Sequence, residues 1–404
     1  MISVNEARTK LLEGVSPGKV VLTELDDALG RILAEDVKSP ICSPHFDNSA
    51  MDGFALRAAD TTNASRGFPV KLKVRGLIAA GEVSHHVLQA GESLRIMTGA
   101  ALPVGADAVV PQELVLQDAD GNLILHQPCE LGAHVRKKGE EVSAGETALE
   151  KGIKLCAASL SFLASLGVRA VPVFSAPDVR IIPTGNELVT ALEDLSAGKI
   201  IESNSVALKH AIQALHLPAS VSLPIPDQHE DLRHELRGAL LANDVLVLCG
   251  GVSVGVYDLV KSVLAELGVE EVFWEVQQKP GKPLFVGRCR DTLVFGLPGN
   301  PAASLMCCYE YVIPALRRIM GYKNPWLQSA TAECAQQITK RDQREHFLRA
   351  WAWHEQGKLM VRLAGEQDSH RMRSFAHANC LLVVPSACHE ISVGEKVEIH
   401  WLPE

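Results

Sequence analysis

Val245-Leu246-Val247-Leu248-Cys249-Gly250-Gly251-Val252-Ser253-Val254-Gly255 runs from an unbroken apolar segment straight into a glycine turn. A short apolar run bounded in this way reads as a strand buried on both faces, as in parallel sheets. The same pattern occurs twice more. Val179-Arg180-Ile181-Ile182 leads into Pro183-Thr184-Gly185-Asn186-Glu187, and Leu293-Val294-Phe295 leads into Gly296-Leu297-Pro298-Gly299-Asn300-Pro301. A helix-like run follows each turn. A parallel sheet sets such turns side by side at the carboxyl ends of its strands, where open α/β sheets bind ligands. Glycine lets backbone N–H groups approach an anion, and a helix N-terminus favours negative charge. The three turns predict a site for a phosphorylated or otherwise anionic ligand.

On either side of this segment the pattern changes. Residues 173–322 carry the strand–helix alternation of a three-layer α/β domain with a mostly parallel sheet. Residues 1–40 read as two amphipathic helices broken at Pro17-Gly18 and near Leu29-Gly30. Residues 41–136 switch to short alternating strands, among them Val70–Val74, Glu92–Ile96, Ala108–Val110 and Leu123–Leu125, a small β-rich module. Helical periodicity returns over Ala157–Leu166. The order predicts a helical linker subdomain (1–40 plus 137–172) split by the inserted β module. Residues 323–404 read as a C-terminal β-barrel or sandwich, with strands over Phe347–Trp353, Leu359–Leu363, Cys380–Val384 and Lys396–Ile399. The fold class is thus multidomain α/β plus β.

Composition excludes several classes. The 404 residues are 47% hydrophobic and 22% charged, ordinary for a globular protein. A net charge of −9 argues against a nucleic-acid surface, so an anionic ligand has to be held by local lysines, arginines and backbone donors. Ten cysteines without a C-x-x-C pair indicate neither a zinc site nor a disulfide framework, and Cys307-Cys308 read as core. No apolar run approaches the length of a membrane span and no signal-like segment follows Met1. A reduced cytoplasmic setting with no membrane partner is expected.

The segment Phe46-Asp47-Asn48-Ser49-Ala50-Met51-Asp52-Gly53-Phe54-Ala55 sets two carboxylates, an amide and a hydroxyl beside a glycine. These are turn residues, and loops on rigid scaffolds also host sites. Asp52 is a candidate for magnesium, directly or through water. Arg95-Ile96-Met97-Thr98-Gly99-Ala100 ends a strand with a hydroxyl and a glycine, an ordinary strand-end turn by itself. In Lys279-Pro280-Gly281-Lys282-Pro283 two lysines are bracketed by prolines, so a rigid loop points two ammonium groups at one oxyanion unless it is simply an exposed basic turn. Asp227 also reads as an N-cap for a helix beginning near His229, Asp258 as a first-turn acid and Asn300-Pro301 as a helix start. Those readings explain each residue singly. Together, a phosphate-type turn, two clamped lysines and three to four acids are what metal-assisted chemistry on a phosphate ester or anhydride requires.

FDNSAMDGFA (46–55), RIMTGA (95–100), PTGNEL (183–188), GGVSVG (250–255), KPGKP (279–283) and GLPGNP (296–301) occur in this order and closely resemble the molybdopterin molybdenumtransferase family, with the E domain of gephyrin as a eukaryotic relative. The resemblance spans nearly the whole chain. It implies insertion of molybdenum from molybdate into adenylylated molybdopterin, with release of AMP, a requirement for Mg2+, and a cytoplasmic homodimer whose site lies between one chain's α/β domain and regions of the other. Other molybdenum-cofactor biosynthesis proteins are implied as partners. By resemblance the functional acids are Asp52, Glu187, Asp227 and Asp258, which are also the implied metal ligands, with Thr98 nearby. Gly250, Gly251, Ser253 and Gly255 would contact nucleotide or pterin phosphate, Lys279 and Lys282 would clamp molybdate, and Pro298, Gly299, Asn300 and Pro301 would shape the pocket. Arg349 and Ser374 are implied as further oxyanion contacts.

The chain departs from the family pattern at Val256, where an acid is usual, at Glu141 in place of aspartate, at Ala302-Ala303 in place of a Val-Ser pair, at Gln367–His370, which lacks the usual glycines, and at Glu275, where some members have lysine. The alternatives are a catalytically silent molybdopterin-binding or scaffold protein on the same fold, a tungstate-specific paralogue, and an adenylyltransferase, an activity belonging to a shorter fold that resembles residues 173–322 alone.

Overall fold

The structure is a computed structural model that describes residues 1–250 and 259–403. The chain forms two compact units, Met1–Leu22 with Ala28–Ala34 and Pro172–Glu404, and Thr23–Asp27 with Glu35–Val171.

In the first unit, β1 (Val179–Pro183), β2 (Ala219–Val221), β3 (Val245–Cys249), β4 (Glu270–Trp274), β5 (Phe285–Cys289) and β6 (Thr292–Leu297) form a six-stranded sheet in the order β2-β1-β3-β6-β5-β4. The first four of that order are parallel, and β5 and β4 run antiparallel at the far edge. Successive side chains of β3 serve opposite layers, which is why its apolar run is unbroken. Val245, Val247 and Cys249 pack with Leu208, Ile212 and Met306 on one face. Leu246 and Leu248 pack with Leu232, Leu236, Val260 and Val263 on the other. Cys307 and Cys308 are fully buried in the first layer, as expected of core thiols.

The C-terminal strands Ser329–Cys334, Glu345–Glu355, Lys358–Leu363, Cys380–Val384 and Lys396–Trp401 close on themselves, because Glu345–Glu355 pairs with both Lys358–Leu363 and Cys380–Val384. Leu348, Ala350 and Ala352 fill the barrel. Their neighbour Phe347 points out of it into the core of the α/β sheet, together with Phe375, Leu381 and Val383.

The second unit is built on a six-stranded sheet in the order Ala108–Pro111, Gly53–Leu56, Glu92–Ile96, Val70–Ile78, Leu123–Leu125, Leu116–Gln117. Phe54 and Leu56 face one core and Ala55 the other. Gly53 is fixed by packing: a Cβ there would lie 2.1 Å from the Val110 carbonyl oxygen. Gly53→Ala is therefore expected to destabilise this unit by about 1–3 kcal/mol, as overpacking does, measured by urea unfolding followed by circular dichroism.

Residues 1–40 differ from the expected helix pair. Val4–Glu13 is the one α-helix, capped by Ser3, whose Oγ accepts from the Glu6 N–H at 3.2 Å, and Leu25–Asp27 forms a single 3-10 turn. Beyond Pro17-Gly18 the chain is extended over Val20–Glu24. The two adjacent valines that open this strand prefer an extended backbone, which accounts for the difference. In the other half of the expected helical subdomain only Ala157–Ser165 is helical, and Thr147–Leu149 is a strand that pairs with Val37–Lys38.

Candidate functional site

The glycine turns do lie side by side. Strand register sets Pro183 opposite Cys249 and Cys249 opposite Leu297. The turns are then stitched together: Thr184 N–H donates to the Cys249 carbonyl at 3.0 Å, and Gly250 N–H donates to the Leu297 carbonyl at 3.1 Å. Gly250 has φ +104, and a Cβ there would meet the Thr184 carbonyl oxygen at 2.4 Å, so only glycine fits. The third turn is tied to the helix Asn204–Gln213 by Asn204 Nδ2, which donates to the Gly299 carbonyl at 2.9 Å. Gly251, Ser253, Gly255 and Asp258, with Val256, lie outside the described residues.

Glu187 and Asp227 come together at the first turn. Gly185 N–H donates to the Ile225 carbonyl at 3.1 Å, and Asp227 N–H donates to Asn186 Oδ1 at 3.1 Å. Burial raises the Asp227 carboxyl above its ordinary range and the Glu187 charge adds to this, against the opposing pull of the Asn186 contact. Asp227 is not a helix cap, since Gln228 holds the N-cap of His229–Ala242 without a side-chain bond. Asn300 holds the N-cap of the helix Pro301–Cys307, with proline first in the helix as expected, but its side chain makes no cap bond; its Nδ2 donates to Ser369 Oγ at 3.0 Å.

The Lys279–Pro283 loop is held from behind. Gln278 is fully buried; its Nε2 donates to the Gly281 carbonyl at 2.9 Å and its Oε1 accepts from the Tyr311 hydroxyl at 2.5 Å. Gly281, at φ +83, sits against Cys307, whose sulfur a Cβ would meet at 2.4 Å. One helix therefore begins at the third glycine turn and ends against the lysine loop. Lys279 is exposed and has no ion pair among the described residues, whereas Lys282 is paired with Glu275 at 3.1 Å. Among the described residues, one of the two ammonium groups of the loop is unpaired and the other is engaged by Glu275.

Arg349 and Ser374, expected as oxyanion contacts, are buried, at 0% and 4% exposure. Arg349 Nε donates to Ser374 Oγ at 3.1 Å and Nη2 to the carbonyls of Glu366 and Asp368, both at 3.1 Å, while Nη1 has no partner among the described residues. Burial lowers its guanidinium to about 10. The pair holds the segment whose Ser369 receives Asn300, and so acts beneath the third turn rather than at the surface. Ala303 and Ser304 are both buried, so Ser304 supplies no hydroxyl to a surface ligand.

In the second unit, two motifs that are separate in sequence form one structure. Thr98 donates to Asp52 Oδ1 through both its N–H and its hydroxyl, each at 2.7 Å. Ser49 N–H donates to the Ala100 carbonyl at 3.0 Å, and Gly99 N–H to the Ser49 carbonyl at 2.8 Å. The two Thr98 bonds, the backbone one foremost, hold the Asp52 carboxyl below its ordinary range, so it stays ionised at neutral pH. Asp47 is held ionised by Lys137, at 2.9 Å, and by the Lys138 N–H, at 2.8 Å. Glu141 accepts from Ser43 Oγ at 2.8 Å.

Three family models cover the chain: the MoeA N-terminal region (domain I and II) matches residues 2–167, the probable molybdopterin binding domain residues 180–318, and the MoeA C-terminal region (domain IV) residues 331–402. A protein named molybdopterin molybdenumtransferase from Haemophilus influenzae is 34% identical over 99% of this chain and 98% of its own. The chain belongs to the molybdopterin molybdenumtransferase family, and it is a transferase. A Bacillus subtilis member of that name is likewise 34% identical, over 100% of this chain and 94% of its own. Two crystal structures of molybdopterin biosynthesis MoeA protein from Pyrococcus horikoshii superpose with TM-scores of 0.83 and 0.84, at 33% and 28% identity, each covering 99% or more of both chains.

Within this family framework, sequence reasoning assigned no positioning role to Asn186, Gln278, Tyr311 or Ser369, which hold the expected residues. Asn186 stands inside the PTGNEL motif and was open to notice; Tyr311 and Ser369 meet their partners across 33 and 69 residues, with no local signal. Among the described residues no three or more His, Cys, Asp or Glu side chains group as a metal cage, and no helix is long and apolar enough to cross a membrane.

Proposed function

We propose that this chain inserts molybdenum from molybdate into adenylylated molybdopterin, releasing AMP and forming molybdenum cofactor, as a Mg2+-dependent cytoplasmic homodimer working beside other proteins of cofactor biosynthesis. The observation that carries this reading is the alignment of the glycine turns at the carboxyl ends of β1, β3 and β6, with the Glu187–Asp227 pair at the first turn and the lysine loop at the far end of the helix that starts at the third. Turns of that kind suit phosphate, and a lysine held on a rigid loop suits an oxyanion.

Two neighbouring carboxylates fit Mg2+, which takes one or two carboxylates and completes its shell with substrate phosphates and water. Glu187 and Asp227 would hold it, Asp52 is a further acid proposed for this chemistry, and the ion would offset charge on the phosphoanhydride. The residues of the chain do the rest. Backbone N–H groups of the third turn, which are not among those that stitch the turns together, orient the phosphates, Asn186 fixes Asp227, and Lys279 holds molybdate near the dithiolene. Water or a molybdate oxygen adds to phosphorus as the bridging oxygen leaves with AMP. Molybdenum–oxygen bonds give way to two molybdenum–sulfur bonds, and the departing oxygens take protons from the medium.

The test is reconstitution. Purified protein given adenylylated molybdopterin, molybdate and Mg2+ should yield a product that activates an apo-molybdoenzyme, with no ATP consumed. Asp52→Ala should lower that yield by about 10²-fold or more, the scale of losing a preorganised charged group. Consumption of ATP, or an Asp52→Ala protein as active as wild type, would sink the corresponding part of the reading.

A further inference from the structure

Glu275 and Lys282 are set opposite each other by the backbone. Glu275 N–H donates to the Leu284 carbonyl at 3.1 Å, Val276 N–H to the Lys282 carbonyl at 3.0 Å, and Ile2 N–H to the Glu275 carbonyl at 3.0 Å. Glu275 has φ +59, a left-handed conformation that few non-glycine residues adopt. These constraints aim a largely buried carboxylate, 16% exposed, at Lys282 Nζ, 3.1 Å away. Lys279, on the same loop, has no such partner among the described residues.

We propose that Glu275 is an internal competitor for the oxyanion: its carboxylate engages Lys282, and an incoming molybdate has to take that ammonium from it. This rests on Lys279 and Lys282 being the oxyanion clamp. A carboxylate and a molybdate oxygen offer a lysine the same kind of charge-assisted bond, so one ammonium cannot satisfy both fully. Glu275 also places a negative charge next to the site a dianion enters. It therefore weakens oxyanion binding and tunes the concentration at which the clamp fills.

The experiment is calorimetric titration of the full-length protein with sodium molybdate alone, at two salt concentrations. Glu275→Gln keeps the shape without the charge, and Glu275→Asn suits the left-handed backbone. Both should bind molybdate about three- to tenfold more tightly than wild type, somewhat more than an exposed ion pair alone accounts for because repulsion is relieved as well. Both should also show a steeper salt dependence, since one more positive charge stands uncompensated, a change that a merely structural role would not produce. Thermal midpoints equal to wild type establish that the variants are folded. Unchanged or weaker binding in both folded variants overturns the inference and leaves the clamp intact. Absence of molybdate binding by wild type and variants alike overturns the clamp itself, and this inference with it.

Discussion

Lys279→Gln lowers molybdate-dependent AMP release by about 10²- to 10³-fold, the loss expected when a preorganised charge is removed from a developing anion. Three observations set this expectation. Lys279 is exposed and free of ion pairs among the described residues, while its neighbour Lys282 is engaged by Glu275 and is a poor substitute. Its backbone is fixed in a parallel ladder, where Gln278 and Lys279 stand opposite Glu345 and His346. The support beneath the loop comes from Gln278, Tyr311 and Gly281, none of which depends on the ammonium group. The variant should accordingly keep the wild-type unfolding midpoint and lose activity alone. Single-turnover AMP release across a range of molybdate concentrations measures both effects. Release within about threefold of wild type would remove Lys279 from the clamp.

Glu310→Gln should cost about 3–5 kcal/mol of stability without touching the candidate site, the scale observed when one partner of a buried ion pair is removed. Glu310 is 2% exposed and lies in the π-helical segment Cys308–Val312. Its Oε2 accepts from Arg8 at 2.5 Å and its Oε1 pairs with His400 Nδ1 at 2.8 Å. One carboxylate thereby joins the first helix, the layer beneath the sheet and the last barrel strand. Arg8 keeps some solvent contact, 23% exposed, so the lower end of the range is expected. Urea unfolding of the two proteins gives the difference.

The same cluster sets a pH dependence. Burial opposes the charged form of His400, but the hydrogen bond and charge of Glu310 outweigh it, and the imidazolium is held above its ordinary value of 6.5. The folded protein then binds more protons than the unfolded chain over that interval. The stabilisation is complete below about pH 6.5 and falls away as pH rises through the folded-state value. Glu310→Gln should flatten this decline. A wild-type unfolding midpoint that holds constant from pH 6 upward would contradict the account of His400.

Much of the architecture was legible because local and global signals agree. The run Val245–Leu248 is apolar at every position because its strand is covered on both faces, and the glycine that stops it is required by the Thr184 carbonyl. The strands Glu92–Ile96, Leu123–Leu125 and Cys380–Val384 have the bounds their alternation predicts. Residues 15–40 were misread because apolar spacing there fits a helix on paper, while two consecutive valines after a Pro-Gly break favour extension.

The partners of the candidate site residues were not legible in the sequence. Asp52 was a candidate from its residue type and Thr98 by resemblance alone, and nothing local to either announces that Thr98 donates twice to Asp52. Arg349 was an oxyanion contact by resemblance, and nothing local announces its bonds to the carbonyls of Glu366 and Asp368. Such pairings depend on contacts between distant segments, which the pattern around one residue does not encode.

The central claim is metal insertion coupled to AMP release, and one measurement meets it directly. Purified protein is mixed with adenylylated molybdopterin and Mg2+, and AMP is followed with and without molybdate. The account predicts release that depends on molybdate. Tight binding of the adenylylated substrate with no AMP released under either condition would contradict it, and would leave a silent carrier on the same fold.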